Sequence, residues 1–176
     1  MSGLFSPPAS PNAQQTVAAA GLQVQTSAYG LVVPILFGKN QTTPNLIQMF
    51  NFRSYQNVEP SASGGKGGSP SPTTITYTYS VTPLFGLCEG TITSFDTIRK
   101  DKEFPTALTG WATFTGSQTT AWSISTANPR VYPKIAYIAY ENYNLGTSTG
   151  LPNHSIVLTG LNPYSTGDSY YDANPV

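Results

Sequence analysis

Thr73-Thr74-Ile75-Thr76-Tyr77-Thr78-Tyr79-Ser80-Val81 alternates without a break. Ile75, Tyr77, Tyr79 and Val81 share one side; Thr74, Thr76, Thr78 and Ser80 share the other. Side chains of extended backbone point alternately to opposite faces, so this period of two specifies a half-buried strand. Thr, Tyr, Ile and Val are also the residues that pack best on a pleated surface. Toward the amino terminus, Asn45–Phe52 alternates in the same way and is expected as a strand. Tyr29–Gly38, rich in Val and Ile, is expected as another, ended by a turn at Gly38-Lys39-Asn40. Pro34 removes a ladder donor there, which places it at an edge, bulge or bend. These two strands would pair as a hairpin over a loop of about eight residues, longer than the usual two to five.

Toward the carboxyl terminus, Pro83 is expected to end or bend the central strand, and Leu84–Cys88 to lead into a turn at Glu89-Gly90. Further short strands are expected at Thr91–Phe95, Trp111–Phe114, Trp122–Ser125, Lys134–Tyr140 and Ser155–Leu158, between Gly, Pro and Asn signals. Residues 96–110 read as a strand end, a charged turn and a loop. The fold class is mainly β: short antiparallel strands forming a barrel- or sandwich-like domain with long loops. Residues 1–28, dominated by Ser, Pro, Gln and Ala, are expected as an N-terminal arm, with one helical turn near Asn12–Ala20. Residues 29–161 form the β-rich domain, interrupted at 57–72 by a Gly-, Ser- and Pro-rich loop, and 162–176 is a polar, Tyr-rich C-terminal segment.

Net charge is zero and 9% of the 176 residues are charged, against roughly 25% in a typical soluble domain. Ser, Thr, Asn, Gln, Gly and Tyr carry the polarity instead. Uncharged hydroxyls and amides cost less to desolvate than ions, so such a surface suits burial against neighbours. A secreted β-domain shares this composition. Cys88 is the only cysteine, which leaves no disulfide framework. The opening Met1–Pro8 has no basic start and no continuous apolar run, so no cleavable signal is expected. Leu31–Phe37, the longest apolar run, is far shorter than the roughly 20 residues that cross a bilayer. Nucleic acid is not expected as a partner, since the one charge cluster, Arg99-Lys100-Asp101-Lys102-Glu103, largely cancels itself.

No motif assembles a catalytic or cofactor site. Gly64-Gly65-Lys66-Gly67-Gly68 resembles a phosphate loop only in its glycines: Gly67 follows the lysine, and a strand rather than a helix comes next. It reads as a linker, or as backbone that passes close to another chain where only Gly fits. Cys88-Glu89-Gly90 would need a histidine base to make a thiol nucleophile. The only histidine, His154, lies in a Pro-Asn-His-Ser segment expected as a turn, so Cys88 reads as a small buried hydrophobe. One histidine without an acidic cluster gives no metal site. The eleven Tyr and two Trp leave a carbohydrate-binding β-sandwich module, secreted or on a surface, as an alternative.

Several pieces in order resemble one family. Tyr29-Gly30-Leu31-Val32-Val33-Pro34-Ile35-Leu36-Phe37-Gly38 is similar to the opening of phage tail-tip hub proteins, relatives of the lambda-like central tail-fibre protein and of gene-transfer-agent baseplate proteins. Pro44-Asn45-Leu46-Ile47, the Gly64–Gly68 run, Tyr77-Thr78-Tyr79-Ser80-Val81, Leu87-Cys88-Glu89-Gly90-Thr91-Ile92, Leu151-Pro152-Asn153 and Asp172-Ala173-Asn174-Pro175 resemble later landmarks. Pro44 and Thr91 stand where Gly and Pro are commoner, and residues 96–150 carry little of the likeness. The resemblance implies a structural hub subunit of a virion, assembled in the host cytoplasm and without enzymatic activity or cofactor. It implies a homotrimer closing the distal end of the tail tube, against distal tail protein, tape-measure protein and other tip or fibre proteins. On this resemblance Gly64, Gly65, Lys66, Gly67, Gly68, Tyr29, Pro34, Glu89 and Gly90 are candidate assembly-interface residues. Related chains continue past the last landmark while this one stops at Val176, so a fragment, a split subunit or the first part of a longer protein is expected.

Overall fold

The computed structural model describes residues 32–60, 73–124 and 129–161. The alternating stretch grows into β3 (Thr73–Glu89), the strand on which the larger sheet is built. On one side it pairs antiparallel with β2 (Asn45–Pro60), from Asn45 opposite Gly86 to Pro60 opposite Thr73. On the other it pairs with β6 (Ile135–Tyr140) at Leu84–Glu89 and with β7 (Tyr143–Gly146) at Tyr79–Val81. These two are consecutive pieces of one line, jogged at Glu141-Asn142, where Asn142 has a φ of 52°. β5 (Trp111–Thr115) closes that edge against β6. A second, three-stranded sheet has β8 (His154–Thr159) at its centre, with β1 (Lys39–Thr42) on one side and β4 (Ser94–Lys100) on the other.

The ladders within both sheets are antiparallel, no helix occurs among the described residues, and the sheets do not close into a barrel. The arrangement is sandwich-like. Between the sheets lie Leu46, Phe85, Leu87, Ile92, Ile98, Ile138, Ile156, Leu158 and Cys88. The opposite face of the large sheet is covered too: Leu84, Tyr137 and Ala139 lie under Phe50, Phe114, Trp122 and Tyr132. This explains why Leu84–Cys88 and Ala136–Ala139 read as apolar runs rather than alternations, since a strand covered on both faces has no solvent side.

Several expected elements take other forms. β3 runs straight through Pro83, which lies between the last residue paired with β7, Val81, and the first paired with β6, Leu84. A residue without an N–H is tolerated where the strand changes partner. Tyr29–Gly38 is not the expected strand: of its described residues, Ile35 and Phe37 make isolated parallel bridges to Glu89 and Leu161. β2 therefore pairs with β3 instead of with that segment, because the long alternation of β3 offers far more ladder positions. β2 also continues to Pro60, into the expected loop. Thr91–Thr93 crosses between the sheets, through Ile92 N–H to Thr115 and Thr93 N–H to Thr159, and the strand begins at Ser94. Trp122 belongs to a loop and packs against Phe50 and Phe114. That loop is clamped by Gln118, whose Nε2 donates to the carbonyls of Tyr132 and Ile135 while its Oε1 accepts from Gly116 N–H. His154 is not in a turn but opens β8, 5% exposed among Phe85, Trp111 and Tyr143.

Two outcomes follow from buried polar groups. Tyr137 is fully buried and stacked on Phe114 at 4.1 Å, and its hydroxyl has no hydrogen-bond partner among the described residues. Burial pushes that phenol up to about 12. Tyr137→Phe removes an unsatisfied group while keeping the ring, so urea unfolding is expected to show unchanged stability or a gain of about 1 kcal/mol. Burial, the largest influence, pushes the His154 imidazole down from 6.5 to about 4, against the pull of Asp101. Between those values the unfolded chain takes up a proton that the folded chain refuses. Stability is therefore expected to fall as pH drops from 6.5 toward 4, by on the order of 3 kcal/mol from this residue, with no further loss below. The difference in unfolding free energy between wild type and His154→Gln, measured across that range, should shrink correspondingly.

Candidate assembly surface

Two features leave the sandwich. The first is the outer half of the β2–β3 hairpin. Past Ser54 and Tyr79, the pairs from Tyr55–Thr78 to Pro60–Thr73 have only each other as ladder partners among the described residues. That is a two-stranded ribbon about 20 Å long. Residues 53–59 are exposed throughout, Tyr55 and Val58 included. The ribbon begins just past a bulge: between Phe50–Thr82 and Arg53–Ser80, two residues of β2 stand against one of β3. Asn51 there has a φ of 56°, and Phe52 stacks on Tyr79 with centroids 5.8 Å apart. A bulge adds local twist and bend, so this one aims the ribbon. Ser80 Oγ donates to the Tyr55 hydroxyl and Asn57 Nδ2 to Thr78 Oγ1, which ties the two strands across one face.

The second feature is a strap, residues 32–37, drawn across the ends of both sheets. Glu89 N–H donates to the Pro34 carbonyl at 2.8 Å, Leu161 N–H to Leu36 at 3.1 Å, and Gly160 N–H to Gly38 at 2.8 Å. Leu36 packs on the core between the sheets. The strap lies so close to β8's end that a Cβ on Gly160 would stand 2.1 Å from the Leu36 carbonyl oxygen. Gly90, with a φ of 92°, turns the chain out of β3 and donates its N–H to Lys134. While Leu36 faces inward, Val33, Ile35, Phe37 and Leu161 are 39, 57, 52 and 38% exposed. Beside the strap is an apolar cavity of about 380 Å3, walled by Val33, Pro34, Ile47, Leu87, Tyr132 and Ile135.

Pro34, Glu89 and Gly90, singled out from sequence, therefore come together at the strap. Tyr29 and Gly64–Gly68 lie outside the described residues. Ile35, Phe37 and Leu161 were not singled out, although the spacing of Val33, Ile35 and Phe37 already placed them on one side of an extended chain.

The chemistry-bearing side chains are engaged in packing. Cys88 is buried between the sheets and burial pushes its thiol up, away from the thiolate a nucleophile needs. His154 Nε2 shares a hydrogen bond with the Tyr143 hydroxyl at 3.2 Å, not with Cys88. Tyr143 is itself pushed up to about 12 by burial and by the Asp101 and Glu103 carboxylates. Trp111 lies against Phe85, Tyr140, Tyr143 and His154. Lys39 and Asp96 form an ion pair at 2.7 Å that holds the carboxyl below its usual range. Among the described residues no group of His, Cys, Asp and Glu is placed to hold a metal ion.

No family model and no curated protein matches the chain. Among solved structures, it is similar to a chain in the virion of a native gene transfer agent particle, with a TM-score of 0.57 and 19% identity. The likeness covers 92% of this chain and 32% of that one, so the present sequence spans about a third of its structural relative.

The strap yields a direct test. Gly160→Ala drives a methyl into the Leu36 carbonyl and is expected to cost about 2–3 kcal/mol. Amide exchange at Glu89, Leu161 and Gly38 should accelerate while exchange in β6 stays slow.

Proposed function

We propose that this chain is a non-enzymatic structural module of a phage-like virion, the amino-terminal part of a tail-tip hub. The observation that carries the reading is the fold shared with a chain of a gene transfer agent virion over nearly the whole sequence. The ordered set of hub-like motifs from Tyr29 to Pro175 points the same way. The surface is consistent with it: a ribbon exposed on both faces, an apolar ridge, and few ions to desolvate.

On this reading the sandwich is a rigid platform and the ribbon and strap are its contacts. Copies assemble as a trimer that closes the distal end of the tail tube, against distal tail and tape-measure proteins, and anchors tip or fibre proteins. A subunit held by several neighbours buries more than the roughly 800 Å2 of a standard interface side. The aromatic rings that favoured a carbohydrate platform are largely packed against one another, and no observation favours that alternative.

Light scattering of the purified chain is expected to give the mass of a trimer, and immobilised distal tail or tape-measure protein to retain it. A well-folded monomer at every concentration, retained by neither, overturns the proposal. Replacing residues 55–78 with a two-residue Asn-Gly turn removes only the ribbon. Since none of the described residues in that span belongs to the core, stability is expected to change by less than about 1 kcal/mol, while retention by the tail proteins is lost.

A further inference from the structure

Among the described residues, the strap's backbone is satisfied on one side only. In a parallel bridge one residue of the pair bonds to the two residues flanking the other; here Glu89 does so, its N–H reaching Pro34, so Ile35 spends neither its N–H nor its carbonyl on Glu89. The bonds present agree: the carbonyls of Pro34, Leu36 and Gly38 face the sandwich and accept from Glu89, Leu161 and Gly160. The backbone groups of Val33 and Ile35 have no partner among the described residues. At Phe37 the edge ends, because Asn40 Nδ2 caps its carbonyl at 2.6 Å.

The inner half of β2, β4 and β1 carry devices that discourage pairing. β2 is broken by irregularities at Leu46/Gln48 and Phe50/Arg53, and β4 is covered where Ile98 and Thr106 exchange backbone hydrogen bonds. β1 is short and led by Lys39. Bulges, cover and charge are the usual protections of an edge. Among the described residues the outward edge of the strap has none of them, and the missing N–H of Pro34 lies on the sandwich side with its carbonyl. The strap adds exposed Ile35 and Phe37 on one face and the apolar cavity beside Val33 and Pro34.

We propose that the outward edge of residues 33–37 is a strand-addition site. Its occupant is one extended, uncharged segment of another polypeptide with apolar side chains at alternate positions. Main-chain hydrogen bonds to Val33 and Ile35 fix the segment, and apolar contacts with Ile35, Phe37 and Leu161 select it. The cavity walls carry no carboxylate, ammonium or guanidinium group, so a charged side chain would enter without a counter-ion. The inference does not rest on the virion reading, because it follows from the backbone and the exposed side chains alone.

The test uses the full chain and a fluorescent peptide of alternating Thr and Val, flanked by single lysines for solubility. Anisotropy is expected to show saturable binding, weakened at least tenfold by Ile35→Lys, an exposed position whose change leaves the melting temperature in place. A peptide methylated at alternate backbone nitrogens keeps its side chains but loses the edge bonds, and is expected not to bind. Absence of binding to wild type overturns the proposal. So does equal binding of the methylated peptide, which would mean apolar contact without strand addition. So does a wild-type dimer that Ile35→Lys converts to monomer, since the edge would then belong to a second copy.

Discussion

β3 carries two different environments on one uninterrupted backbone, and the rest of the structure follows from where they meet. From Tyr79 to Cys88 every residue is buried, because β6 and β7 line one edge, β2 the other, and apolar clusters cover both faces. Before Tyr79 the same strand has a single neighbour among the described residues, and its described side chains are exposed or only partly buried. Isolated two-stranded ribbons are marginal in water. This one persists because its register is inherited from the buried half, and because Phe52 stacked on Tyr79 seals the junction.

Polar satisfaction in the body is achieved mainly by backbone and amide side chains rather than by ions. Gln118 alone joins Gly116, Tyr132 and Ile135, and Thr82 Oγ1 accepts Asn142 N–H at the jog between β6 and β7. Among the described residues one ion pair, Lys39 with Asp96, sits at the surface, where such pairs contribute little. A fold held this way keeps its electrostatic character nearly neutral, which suits docking by shape and backbone more than by charge steering.

Much of the fold was legible in the residues. The alternation at 73–81, the apolar run at 134–140 and the strand at 155–158 all sit within strands of the structure, with ends shifted by a few residues. What local pattern could not supply was partnership. Nothing in Tyr29–Gly38 distinguishes a ladder strand from a strap bonded at isolated points, because the difference lies in the distant Glu89 and Leu161. Trp122 looked like a strand start because it is large and apolar, whereas it serves as a lid over Phe50 and Phe114. His154 looked like a turn residue because Pro152 and Asn153 precede it; its burial depends on Phe85 and Trp111, far off in sequence, as well as on Tyr143. At the candidate surface, Pro34, Glu89 and Gly90 were visible through motifs. The exposed ridge was not, because exposure is a property of what fails to pack there.

The pairing of Phe37 with Leu161 has a mechanical consequence. It places the segment that leads into the described body and the one that leads out of it side by side at one corner. Because the two run parallel, tension drawing them apart would act in opposite directions along their shared line and load the strap bonds together, in shear, before it reached the long ladders of β3. Bonds loaded together give way at a higher force than bonds opened one by one, so this corner would act as a stiff coupling between the body and whatever pulls on it.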